Sequence, residues 1–122
     1  MSNTISELQR RVGEVNIANG WRTPAGDDRA GRDLVNAQIT RLALITTEVS
    51  EAIEEIRNGH AVDETYYPDN KPKPEGVPSE LADIVIRALD AADAWGIDLE
   101  AMIVEKINYN STRGHRHGGK TA

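Results

Sequence analysis

From Asp33 to Asn58 the chain repeats apolar residues at helical spacing, and no other feature limits its fold as much. Val35, Ile39, Leu42, Ile45, Val49, Ala52 and Ile56 fall three or four apart, with Ile53 beside Ala52, so they mark one face of a helix of about seven turns. A helix of that length in a small domain is expected to be the spine of a bundle. Shorter helical segments surround it. Thr4 and Glu7 have capping-box spacing, and Ile5, Leu8, Val12 and Val15 follow helically up to a stop at Gly20. Ser79, directly after Pro78, is expected to cap a third helix, with Trp95 in its core face and Gly96 as its stop. Asp98 is expected to cap a fourth. The sequence therefore predicts an all-α fold, with helices at about 4–19, 33–58, 79–95 and 98–110.

Composition agrees with close helix packing. The 122 residues contain no Phe, aromatics are 4%, and the apolar residues are mostly Ala, Leu, Ile and Val. Absence of cysteine rules out a disulfide, a thiolate nucleophile and a Cys-based zinc site. The formal net charge of −6 argues against a nucleic-acid backbone as partner. It leaves open a nucleotide delivered with cations. "MSNTISELQR" has neither the basic nor the apolar region of a signal peptide, and no stretch of about eighteen apolar residues follows. A cytoplasmic protein is the expectation.

Between the second and third helices lies "HAVDETYYPDNKPKPEGVP", rich in Pro and charge, with a short extended piece expected near Val62 to Tyr67. Loops this long in a small domain tend to carry function. One helical domain over 1–113 is expected, followed by a flexible, basic, Gly-rich tail over 114–122. That tail spells G-x-x-x-x-G-K-[ST] from Gly114 to Thr121, but a helix precedes it and one residue follows. A phosphate-binding P-loop must leave a strand and open a helix, so the match is rejected.

The chemistry gathers on the two inner helices. Glu48 and Glu51 stand three apart on the long helix, Glu80 and Asp83 three apart on the next, and each pair borders an apolar face. Packed side by side, the helices would bring four carboxylates together. Such a cluster is unfavourable unless protons or cations neutralise it. Magnesium, a hard cation that prefers oxygen ligands, suits it; a ferritin-like di-iron site would want Glu-x-x-His, which neither helix offers.

Glu48-x-x-Glu51, 28 residues, then Glu80-x-x-Asp83 resembles the signature of the all-α, MazG-like nucleoside triphosphate pyrophosphohydrolases. "GIDLEAMIVEKINYNSTR" is similar to that family's last helix, where Lys106, Asn110 and Arg113 match a phosphate-facing set. The resemblance spans about 34–120. Gly114-His115 stands where many relatives have Tyr-Pro, and the loop between the acidic pairs is long; both departures bear on specificity. The resemblance implies a four-helix-bundle-like protomer that forms homodimers or homotetramers. It implies hydrolysis of an NTP or dNTP to the monophosphate and pyrophosphate. Glu48, Glu51, Glu80 and Asp83 would hold Mg2+, with Mn2+ as a substitute, and one glutamate would accept the water's proton. Lys106 and Arg113 would steady the β- and γ-phosphates, and Asn110 a phosphate or the sugar. The alternative is a non-catalytic helical dimerisation or regulatory module on the same scaffold.

Other residues admit two readings. Trp21 either stacks on a base or packs against the bundle. Asn16 and Asn19 either read a base edge or lie on the helix surface. Glu55 extends the acidic stripe as an outer partner of the cluster, and Arg87, one turn past Asp83, is expected to orient carboxylates.

Overall fold

In a computed structural model that describes residues 3–114, the chain forms four helices: α1 (Ile5–Ala18), α2 (Gly31–Arg57), α3 (Val77–Ala94) and α4 (Leu99–Thr112). The fold is all-α and bundle-like. α3 is central, with α2 and α1 packed against it, while the main contact of α4 is with α1. Among the described residues, no helix is long and apolar enough to cross a membrane. His115, His117 and the rest of 115–122 lie outside the described residues.

The helix ends follow local chemistry. Thr4 accepts a hydrogen bond from the Glu7 amide at 3.2 Å, and Asp98 accepts one from Ala101 at 3.0 Å. Three helices stop in the same way. Gly20, Gly59 and Gly96 take φ of 81°, 91° and 66°, and the residue after each donates its amide back to the last turn. Trp21 donates to Asn16, His60 to Glu55 and Ile97 to Ala92, the 6→1 bond of the Schellman motif.

The start of α3 departs from expectation. The helix begins at Val77, so Pro78 lies inside its first turn, and Ser79 is not the cap. Pro is tolerated there because the first amides have no helical acceptor. Gly76 occupies the N-cap position at φ 118°, and the Ser79 hydroxyl donates instead to the Pro74 carbonyl at 3.1 Å. A β-carbon at Gly76 would collide with the Glu64 carbonyl, so the tight turn requires glycine. α2 likewise starts two residues earlier than the spacing indicates, at Gly31. Trp95 is half-buried at the C-cap of α3, outside the core.

The loop before α3 is ordered by its own contacts. Tyr66 and Glu75 exchange backbone hydrogen bonds of 3.1 and 2.8 Å, an isolated antiparallel bridge around a 3-10 turn at Pro68–Asn70. The Tyr66 hydroxyl donates to both oxygens of Glu55 on α2, at 3.0 and 2.8 Å, and its ring stacks on His60 at 4.4 Å. Glu55 thus spends its carboxylate on pinning the loop, which holds the Tyr66 hydroxyl up at about 12.

The core is thin. Among the described residues, Val77, Leu89, Ala91 and Ala92, all on α3, are its buried apolar side chains. Close approach helps to compensate. At Gly13 of α1, a β-carbon would run into Asp93 of α3 and the Arg22 guanidinium paired with it.

Candidate metal centre and adjoining cleft

α2 turns a mixed stripe towards α3, in which Leu34, Ile45 and Ala52 alternate with Arg41, Glu48 and Glu55, and leaves most of its larger aliphatics exposed. Its one buried residue is Glu48, 6% exposed; facing it on α3 is Glu80, 7% exposed, in the first turn. Glu80 falls in that turn because α3 starts at Val77, and Asp83 follows one turn later. Carboxylate oxygens of Glu48, Glu80 and Asp83 all lie within 4.8 Å of one another. Glu51 is exposed at the edge, near enough to act on the ionisation of Glu48 and Glu80.

Neighbouring charges tune these groups in opposite senses. Arg87, one turn beyond Asp83, donates its Nε–H to Glu48 at 2.6 Å and holds that carboxyl below the usual range. Glu80 has no such cation. Burial first, then Glu51 and Glu48, push it up to about 8, and its Oε2 is buried without a hydrogen-bond partner. Asp83 is raised by burial and by Glu48. A buried carboxylate oxygen with no donor, aimed among other carboxylates, lacks a positive partner. The donor set is all oxygen, which suits Mg2+ or Mn2+ and not a soft metal.

Beyond Arg87 the same groove widens into an open cleft of about 920 Å3 between the end of α1, the first half of α2 and α3. Asp90 forms its floor: it accepts from the Asn16 amide at 2.7 Å and pairs with Arg41, while Arg22 bridges to Asp93 at 2.6 Å. Every arginine lining the cleft is already paired, Arg22 with Asp93, Arg29 with Asp27, Arg41 with Asp90 and Arg87 with Glu48. Trp21 stands at the rim with 79% of its surface exposed, so it does not pack into the bundle. Asn16 faces the cleft, its amide committed to Asp90.

The predicted residues therefore divide. Three of the four acids, Glu48, Glu80 and Asp83, converge, Glu51 stays at the exposed edge, and Trp21 overlooks the neighbouring cleft. Lys106, Asn110 and Arg113 do not line that cleft. Lys106 and Asn110 lie exposed on α4 and Arg113 at its C-cap, where Lys106 and Arg113 sit over the Tyr109 ring at 5.3 and 5.7 Å.

The Asp90 network was not foreseen, although a signal for it exists. Asp83, Arg87 and Asp90 follow at steps of four and three, and Arg41, Glu48 and Glu55 at steps of seven, so each set shares a helix face. Set against known proteins, the chain matches no family model, no curated protein and no solved structure.

Proposed function

We propose that the chain is a magnesium-dependent nucleoside triphosphate pyrophosphohydrolase that converts an NTP or dNTP to the monophosphate and pyrophosphate. The observation that carries this reading is the buried, unpartnered Glu80 oxygen inside a three-carboxylate cluster. Glu48, Glu80 and Asp83 would hold the ion, with Glu51 at the exposed edge. Bound magnesium supplies charge neutralisation on the phosphates and a more acidic water. In the reaction a water oxygen bonds to the α-phosphorus, and the bond from that phosphorus to the bridging oxygen of the β-phosphate breaks, releasing pyrophosphate.

The chain's own residues account for orientation. Arg87 fixes Glu48 from the cleft side. Each arginine of the cleft is neutralised by a paired carboxylate, which suits the uncharged nucleoside end of a substrate, and Trp21 offers an open ring face for a base. Such an enzyme would act on the nucleotide pool in the cytoplasm.

Product analysis tests the reaction. The protein is incubated with a panel of NTPs and dNTPs, with Mg2+ and then with EDTA, and the products are resolved. Monophosphate plus pyrophosphate, lost in EDTA and in Glu48→Gln, is expected. Diphosphate plus phosphate would mean that a different bond is cut. No turnover together with no Mg2+-induced rise in melting temperature would favour a non-catalytic module instead.

A further inference from the structure

The groove between α2 and α3 has two ends, and the proposed reaction uses only one of them. Along α3 the order is Glu80, Asp83, Arg87 and Asp90, with the cleft at the Asp90 end. About 10 Å of helix separates Arg87 from Glu80. A nucleoside seated in the cleft, with its α-phosphorus at the carboxylates, sends the remaining phosphates the other way, past Glu80 and the start of α3. Those phosphates call for cations besides the metal ion. The cleft has none to spare, since each of its arginines is paired with a carboxylate, and Lys106 and Arg113 do not line it.

The loop before α3 supplies one at the other end. Lys73 stands between Pro72 and Pro74, and a residue ahead of proline is held in extended backbone. Contacts pin the loop just beyond it. Glu75 exchanges two backbone hydrogen bonds with Tyr66, whose hydroxyl is fixed by Glu55 of α2. The Pro74 carbonyl accepts from the hydroxyl of Ser79, the residue before Glu80. Lys73 is thereby anchored beside the first turn of α3, where the carboxylate cluster begins. Its charge reaches that cluster: with Arg87, it draws the Asp83 carboxyl down against the effect of burial. The Lys73 ammonium rests 3.3 Å from Glu75, and 79% of its side chain is exposed. Exposed ion pairs contribute little, so a polyphosphate with several negative charges can take the ammonium from Glu75.

We infer that Lys73 holds the β- and γ-phosphates of the ion-bound nucleotide, its ammonium exchanging Glu75 for phosphate oxygens. The substrate named here rests on the pyrophosphohydrolase reading, so the test uses magnesium pyrophosphate, which binds without turnover. Calorimetric titration of the full chain should show Lys73→Gln binding it roughly 10–100-fold more weakly than wild type, the loss of a charge-assisted contact. Lys73→Arg should recover most of that loss. Nucleoside monophosphates, which reach only the cleft and the ion, should bind Lys73→Gln as they bind wild type. Glu75→Gln removes the competing carboxylate and keeps the backbone bridge, so it should tighten pyrophosphate binding by up to about fivefold. No pyrophosphate binding by the wild type, no loss in Lys73→Gln, an equal loss for monophosphates, or weaker binding in Glu75→Gln overturns the contact. Lys73-dependent pyrophosphate binding in a chain that turns over no nucleotide upholds the contact and sinks the reaction. Turnover that is untouched by Lys73→Gln sinks the contact alone.

Discussion

The two faces of α2 invert the usual plan of an amphipathic helix. Towards α3 it presents Arg41, Glu48 and Glu55, each engaged by a partner on another element, with only Leu34, Ile45 and Ala52 between them; towards the outside it presents Ile39, Leu42, Val49 and Ile53. A soluble helix normally buries its apolar stripe and exposes its charges. The inner face here gives up apolar burial to hold a carboxylate cluster, and the outer face keeps the apolar area that the thin core lacks. Chemistry and packing are thus divided between opposite sides of one helix. Substitutions on the inner face should alter activity and ion response with the fold kept, and those on the outer face should alter association.

The largest effect should come from the centre of the inner face. Glu80→Gln keeps the shape, removes a ligand charge and is expected to lower turnover by roughly a thousandfold or more, about 4 kcal/mol of barrier. The same change should raise the melting temperature of the ion-free protein, because it takes a buried carboxyl away from Glu48 and Glu51. Mg2+ should then no longer stabilise the fold. Turnover assays and thermal melts with and without Mg2+ check all three, and an ion-free melting temperature that falls would contradict the electrostatic account.

This inversion also marks what the sequence could and could not convey. Helix identities, the stops at Gly20, Gly59 and Gly96 and the caps at Thr4 and Asp98 depend on residues within one turn of each other, so they were legible. The approach of Glu48 to Glu80 and Asp83 was legible because both acidic spacings are helical, while the exposed position of Glu51 was not. Which stripe of α2 faces α3 was not, since periodicity defines a face without saying what covers it. Arg22–Asp93 and Arg41–Asp90 join residues 71 and 49 positions apart, and no local rule couples them. Ser79 misled because a hydroxyl after a proline looks like a cap, while Gly76, three residues earlier, had already made the turn.

Next in size is Arg87, which touches the cluster without belonging to it. Arg87→Met leaves Glu48 buried without its cation, so the carboxyl should rise towards the range of Glu80. A lost orienting partner of a ligand weakens ion affinity or activity by roughly 10–100-fold. The Mg2+ concentration for half-maximal activity should increase accordingly. An unchanged Mg2+ requirement would mean that the Arg87–Glu48 contact serves folding alone.

On the outer face, Thr46→Val exchanges a hydroxyl for a methyl at the centre of the aliphatic seam. The Thr46 hydroxyl donates to the Ala43 carbonyl at 2.6 Å, so it needs no partner from a second copy. Burying the added methyl should strengthen association by about 1 kcal/mol per chain. Sedimentation should show any self-association strengthened while turnover per site stays constant. A change in turnover would mean that the two faces are coupled through the helix.

The smallest effect, and the one that separates neighbouring inner-face groups, is a drift of stability with pH. Folded Glu80 keeps its proton up to about pH 8, whereas unfolded it releases the proton near its ordinary 4.5. The folded chain therefore binds more protons between those values, and the stability this group contributes is full below 4.5 and declines as pH rises towards 8. Glu48 works the other way: Arg87 holds its folded carboxyl below 4.5, so its contribution is present above that value and lost on acidification. The two oppose each other in the wild type, and the difference in melting temperature between wild type and Glu80→Gln isolates the first. That difference should widen from pH 5 to pH 8 without Mg2+, the wild type falling behind, and should narrow when Mg2+ replaces the proton. A difference that stays flat across that range would place the proton elsewhere in the cluster, on Asp83.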